Sequence, residues 1–196
     1  ESHDFVVVDT PGSDNYLMRL SHSMADTLVT PMNDSFVDFD VLGRVDGESL
    51  EIIDVSHYAM MVREARRQRR LADNGLLDWI VVRNRLASIG SRNQHNLHAC
   101  VKELSLRLGF RVADGISERV VYREYFPKGL TALDDVKDLG LTDRASRSHH
   151  SALLEIRNLI KMLRLPIDEA GRQRADARKV WLQRSAEPVA MPDIFA

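Results

Sequence analysis

Phe5-Val6-Val7-Val8-Asp9-Thr10-Pro11-Gly12 is the stretch on which the fold turns. Four apolar, mostly β-branched residues in a row predict a strand buried on both faces, as a parallel sheet covered by helices requires. Asp9, at the end of that strand, is placed to hold Mg²⁺ through its water shell. Gly12, three residues on, can offer its backbone N–H to a phosphate, because no side chain blocks the approach. An apolar strand followed by D-x-x-G is the second half of a nucleotide triphosphatase site, although a purely structural turn reads the same way. The first half, G-x-x-x-x-G-K-[ST], occurs nowhere in the chain. Without those backbone amides and that lysine a triphosphate has no cradle. This chain by itself is therefore expected to be inactive as an ATPase.

Outward from this stretch, strand and helix patterns alternate. Residues 13–25 predict a helix with Leu17, Leu20 and Met24 on its apolar face, and Thr27–Thr30 a strand that stops at Pro31. Phe36 to Val45 has helical spacing in Phe36, Phe39, Leu42 and Gly43. Residues 56–73 read as a basic helix stopped by Asn74-Gly75, and Trp79–Val82 as a buried strand running into Arg83-Asn84-Arg85. A helix over about 91–108 shows Leu97, Val101, Leu104 and Leu108 on one face, and Phe110–Val112 follows as a short strand. Residues 117–126 carry no decisive period. A last amphipathic helix, 148–163, is built on Leu153, Ile156, Ile160 and Leu163. The alternation implies an α/β fold with a doubly wound, mostly parallel sheet. Ligands on such sheets bind beyond the carboxyl ends of the strands, which directs attention to Asp9–Gly12, Pro31–Asp34 and Arg83–Arg85.

Composition narrows the class. With 44% apolar and 29% charged residues among 196, wholesale disorder is not expected. No run approaches the roughly 20 apolar residues of a membrane span, so no membrane insertion is expected. One cysteine, Cys100, cannot build an internal disulfide framework, which suggests a reducing, cytoplasmic setting. The total charge of −2 hides an asymmetry: residues 1–62 hold 2 basic and 12 acidic side chains, residues 63–123 hold 13 and 6. A basic middle segment suits an acidic partner, nucleic acid first, or else a set of solvated helix faces.

On the 91–108 helix, Arg92, Asn96, Glu103 and Arg107 fall opposite the Leu/Val face, and Arg111 and Arg119 extend that surface. Arginines on one face suit DNA phosphate contacts, which position a protein without reading sequence; any surface helix carries such residues too. Asn84, just past a buried strand, is placed to meet a purine edge or to cap a turn. The run Tyr122 to Gly129, containing Phe126-Pro127, can wall a base or simply form core and turn. His95, His98 and Cys100 lack a fourth ligand at zinc spacing, and no G-x-S-x-G elbow supports serine catalysis.

Several stretches together resemble the MipZ family, division-site positioning ATPases of the ParA/MinD group. They are Phe5–Gly12, the run Val29-Thr30-Pro31-Met32-Asn33-Asp34-Ser35-Phe36-Val37-Asp38-Phe39-Asp40, Val82–Ala87, and Arg119–Glu124 with Phe126-Pro127 and Gly129-Leu130-Thr131. The likeness runs from about residue 4 to 164. It implies a P-loop NTPase-like fold of ParA/MinD type, ATP and Mg²⁺ as cofactors, and a homodimer that sandwiches nucleotide. It also implies non-specific DNA binding, inhibition of FtsZ assembly and interaction with ParB, hence a cytoplasmic, nucleoid-associated protein. Carried over residue by residue, Asp9 is the Walker B acid and metal-side carboxylate, and Thr10, Pro11 and Gly12 form switch II beside the γ-phosphate. Asn84 becomes the base-side asparagine, and Phe126 and Pro127 flank the adenine. Arg92 and Arg119 fall on basic surface elements of the family; Asn96 and Ser117 are uncharged where arginine is expected. The P-loop with its two lysines and the switch I acid have no counterpart, so residues 1–165 are expected to be the C-terminal portion of an ATPase domain truncated at its N-terminus, and 166–196 a charged tail. A ParA-type chromosome or plasmid partition ATPase, or a nucleotide-independent DNA-binding or interaction module, are the competing expectations.

Overall fold

The computed structural model describes residues 5–87, 90–134 and 143–165, with side chains in the last stretch from 147 onward; the tail 166–196 lies outside the described residues. In chain order the elements are α1 (Tyr16–Met24), β1 (Thr27–Asn33), α2 (Phe36–Phe39), β2 (Gly43–Val45), β3 (Ile52–Val55), α3 (His57–Asp73), β4 (Asp78–Asn84), α4 (Arg92–Leu108), β5 (Arg111–Ala113), α5 (Val120–Tyr125) and α6 (Asp143–Leu163). A single 3₁₀ turn, Phe126–Lys128, follows α5.

β4 is the centre of the fold because it is apolar on both faces: Trp79, Ile80, Val81 and Val82 are all buried. It pairs in parallel with β1 from Thr27↔Asp78 to Asn33↔Asn84, and with β5 from Ile80↔Arg111 to Val82↔Ala113. The strand order is β1-β4-β5. One sheet face, with Trp79 and Val81, packs against Ala59 and Val62 of α3 and Leu97, Val101 and Leu104 of α4. The other, with Ile80, Val82 and Ala113, is covered by Leu159, Met162 and Leu163 of α6. Helices on both faces of a parallel sheet are what the buried run of β4 demands. Local signals set the helix limits. Ser56 and Ser91 cap α3 and α4, the latter in a reciprocal box with Gln94, while Asn74 and Gly109 end them in left-handed backbone at φ 55 and 70.

Four expectations are corrected. Phe5–Val8 forms no strand among the described residues; it is an exposed run without regular structure, with Val6 at 83% and Val7 at 93% exposure. A strand exists only by pairing its N–H and C=O groups, and none of the described strands pairs with this one. α1 begins at Tyr16, and its buried side chains are Met18 and His22 rather than Leu17 and Met24, which are both exposed. The helix turns its polar-looking face inward because His22 finds partners there. β1 continues through Pro31, which pairs with Val82; as an edge strand it tolerates a residue without an N–H. Residues 36–45 are not one helix. α2 ends at Phe39 and the chain enters the antiparallel β2–β3 hairpin, whose turn is tied by Asp46 Oδ1 accepting from the N–H groups of Glu48 and Ser49.

A directional chain of hydrogen bonds joins α1, α3, β1 and β4 inside the apolar core. The Trp79 indole N–H donates to Thr30 Oγ1 at 3.0 Å, and the Thr30 and Tyr58 hydroxyls are 2.8 Å apart. Tyr58 lies 3.4 Å from His22 Nε2, and His22 Nδ1 lies 2.7 Å from the Met18 carbonyl. Since a carbonyl only accepts, His22 carries its proton on Nδ1, and Nε2 accepts from Tyr58. Burial holds the His22 imidazolium below the usual histidine range, outweighing the Met18 carbonyl.

Candidate functional site

The parallel strands deliver three segments to one edge: Asn33-Asp34 at the end of β1, Asn84-Arg85 at the end of β4, and Asp114-Gly115 after β5. At that edge Arg83 Nη1 donates to Asp34 Oδ1 at 3.0 Å, and both side chains are largely buried. Asp34 Oδ2 and Arg83 Nε are buried with no hydrogen-bond partner. A half-satisfied buried ion pair is costly, so this pair is the described feature that most calls for a further polar group. Position at the strand ends was the available signal; the pairing itself joins residues 49 apart and no local pattern shows it.

Asn84 is half-buried, and its Oδ1 accepts from the Arg85 N–H at 3.0 Å. That holds the amide's two N–H donors in a defined direction. Two segments behind it are tied together. Leu86 and Ser117 form an isolated parallel bridge, Ile116 N–H donates to the Arg83 carbonyl at 2.8 Å, and Glu118 N–H donates to Leu86 O at 2.9 Å. Gly115 is required for this approach: a Cβ there would lie 2.2 Å from Leu86 Cδ1 and 3.2 Å from the Arg83 carbonyl oxygen.

Asp9, Pro11 and Gly12 are exposed and Thr10 is half-buried, ahead of α1. A Cβ on Gly12 would meet nothing. The loop following them is fastened by Asp14, whose carboxylate accepts from Arg19 at 2.6 Å and lies 3.1 Å from His57 at the start of α3. Those two hydrogen bonds, Arg19 first, bring the Asp14 carboxyl down to about 2. Phe126 and Pro127 project from the 3₁₀ turn, with Phe126 at 85% exposure. No hydrogen bond or ion pair joins Asp9–Gly12, Asn84 and Phe126-Pro127 to one another among the described residues. They stand as separate contributions.

The arginines read as a DNA face divide. Arg92 is exposed in the first turn of α4 and makes no ion pair among the described residues. Arg107, also exposed, pairs with Glu103 one turn back. Arg111 is held by Asp78 and by the Met162 carbonyl, pinning the end of α6 to the sheet. Arg119 donates to Glu155 at 2.6 Å. Within the basic helix α3, Arg69 is buried at 4% exposure, and Arg66 donates to the Leu108 carbonyl, so that stretch is only partly a solvated face.

The carboxylate of Glu155 gathers Arg119, the hydroxyl and N–H of Ser117, and the Tyr122 hydroxyl. Burial raises its pKa, but the hydrogen bonds from Arg119 and Ser117 outweigh that and the net shift is downward. Burial, then the Glu155 charge, pushes the Tyr122 phenol up to about 12. A depressed carboxyl pKa contributes stability that is complete above the unfolded value and is lost as pH falls through the folded one. Unfolding midpoints measured from about pH 6 down to about pH 3 should therefore decline less steeply in Glu155→Gln than in the parent chain. Parallel slopes would show that the carboxylate charge carries none of the anchoring.

Taken together, a parallel sheet wound by helices and presenting polar loops at its carboxyl edge defines an α/β protein of the kind that binds ligands at that edge. The family model described as ATPase MipZ matches residues 1–167, and the chain belongs to this family, which carries the P-loop NTPase fold and binds ATP. Compared with curated proteins, the chain has no match. The residues present fit the nucleotide unevenly. Asn84 offers amide donors at a fixed strand end, and the orphaned Asp34 and Arg83 atoms lie one residue from the ends of β1 and β4. No loop in the chain has the glycines and lysine that would wrap a triphosphate. No step through the phosphates follows from these residues. Among the described residues no group of three or more His, Cys, Asp and Glu side chains is arranged for a metal, and no helix is long and apolar enough to cross a membrane.

Proposed function

We propose that the chain is the later portion of a MipZ-type division-site positioning ATPase. In this reading it dimerises with ATP, binds DNA non-specifically, meets ParB and blocks FtsZ assembly, as a cytoplasmic, nucleoid-associated protein. The observation that carries the reading is the family match over 1–167, which takes in Asp9-Thr10-Pro11-Gly12 and the Asn84 strand end together. Asp9 supplies the carboxylate facing Mg²⁺, and Thr10, Pro11 and Gly12 the backbone beside the terminal phosphate. Asn84, Phe126 and Pro127 form the base side. Hydrolysis requires a phosphate cradle that these 196 residues lack, so the chain alone is inactive. DNA contact rests first on Arg92, because Arg107, Arg111 and Arg119 already pair with Glu103, Asp78 and Glu155.

The test is ATP-dependent DNA retention in a protein that joins this chain to a phosphate-binding loop. Even the outer partners of metal ligands are worth about 10- to 100-fold. Asp9→Ala should therefore lower retention by at least about 10-fold; unaltered retention would overturn the mechanism. Unchanged FtsZ assembly in the presence of the active dimer would instead favour a ParA-type partition ATPase. The missing cradle favours a second reading, a nucleotide-independent interaction module. That module predicts that these 196 residues bind DNA without ATP and lose it as salt rises from about 50 to about 200 mM.

A further inference from the structure

β5 has β4 on one side and no second strand partner among the described residues. The residues of β5 line a trough. Six consecutive residues, Phe110 to Gly115, line one cavity of about 510 Å³, walled by α4 and by the end of α6. A cavity lined by consecutive residues follows the strand rather than crossing it. β5 itself is three residues long, about 10 Å at about 3.3 Å per residue, and Phe110, Asp114 and Gly115 continue the lining beyond its two ends.

The two walls differ in chemistry. From α4 come His98 and Lys102, with Arg83 entering from β4; on the α6 side stand Met162 and Arg164. Lys102 and Arg164 are exposed and make no ion pair among the described residues. Asp114, at one end, is the single acid in the lining. His98 reports the same positive field: burial first, then the Arg83 and Lys102 charges, push its imidazolium below the usual range. An unpaired strand edge supplies main-chain donors and acceptors, and alternate pockets beside it select side chains.

We propose that this trough takes an extended acidic segment of a partner protein. The segment adds to the free edge of β5 as a further strand, with its acidic face toward Lys102 and its apolar face toward Met162. This goes beyond the nucleotide reading and does not depend on it. The run of consecutive strand and flanking backbone in the lining favours an extended segment over a compact phosphorylated molecule, which needs donors gathered at one point. The cationic walls set the sign of the partner's charge.

The experiment is fluorescence anisotropy with the whole chain and labelled peptides of about eight residues that alternate aspartate and valine. A lysine–valine peptide serves as the charge control. Two aspartate–valine peptides, N-methylated on alternate residues in opposite phase, remove the backbone donors from one edge or the other. The acidic peptide should bind, the basic one should not, and one N-methylated peptide should lose at least about 10-fold in affinity. The double variant Lys102→Glu/Arg164→Glu alters only exposed side chains and should lose at least about 10-fold with an unchanged melting curve. Equal binding by both N-methylated peptides overturns strand addition, and unaltered binding by the double variant overturns the location. If the acidic peptide fails to bind while duplex DNA binds and is lost in that variant, the trough is a phosphate surface and the proposal fails.

Discussion

Arg69→Ala is expected to destabilise the chain by about 3–5 kcal/mol, the range for removing one partner of a buried charge network. The side chain lies at 4% exposure near the end of α3, and nearly every N–H it carries is used. Nη1 donates to the carbonyls of Met24 and Ala25 at 2.6 and 2.9 Å, Nη2 to Asp26 at 2.8 Å, and Nε to Asp73 at 3.0 Å. Truncation takes the arginine from Asp73 and from the Met24 and Ala25 carbonyls at once. The loss falls at the junction of α1, β1 and α3, so it takes a large share of the roughly 5–15 kcal/mol typical of a domain. Arg69→Lys should recover little, because one ammonium cannot reach acceptors spread around a guanidinium plane. Urea unfolding, with the slope m checked for constancy, measures both. A change under about 1 kcal/mol would mean that the pairs behave as exposed ones.

Trp79→Ala should cost a similar amount, about 3–5 kcal/mol, by a different mechanism. Trp79 is fully buried on the central strand, 4.9 Å from the Phe110 ring centroid and 6.4 Å from that of Tyr58. Its removal leaves a cavity that three elements border and none can collapse into. Trp79→Phe keeps most of the ring contact but loses the N–H that enters the Thr30–Tyr58–His22 chain, and should cost about 1–2 kcal/mol. Thr30→Val in the Trp79→Phe background then separates the two effects. If the polar chain matters, the second substitution costs less there than in the parent, because its donor is already gone.

Sequence reading was most successful where the signal was local. The buried run of β4, the Asn74-Gly75 stop of α3, and the Leu97–Leu108 stripe are each written within one element, and each stands where the pattern put it. It failed where a partner decides. Phe5–Val8 has every property of a strand except a neighbour to pair with, and pairing is not a property of four residues. α1 shows Leu17 and Met24 to solvent because His22 is satisfied from α3, 36 residues away. Likewise, the outward arc of α4 was legible from its spacing. That Arg111 and Arg119 face α6 was not, since Met162 and Glu155 arrive from 51 and 36 residues further on. At the carboxyl edge the general placement was legible, but the Asp34–Arg83 pair and its two orphaned atoms were not.

The Leu86–Ser117 bridge has a thermodynamic consequence for whatever meets Asn84. Ordering a free loop costs about 1–2 kcal/mol per residue of backbone, a penalty that binding normally bears. Here the backbone of Arg83–Leu86 is already joined to that of Ile116–Glu118 by three hydrogen bonds, with Gly115 admitting Leu86 and Glu155 holding Ser117 from behind. A ligand arriving at this strand end therefore meets backbone that is already tied in place, which leaves less ordering for its contact energy to offset.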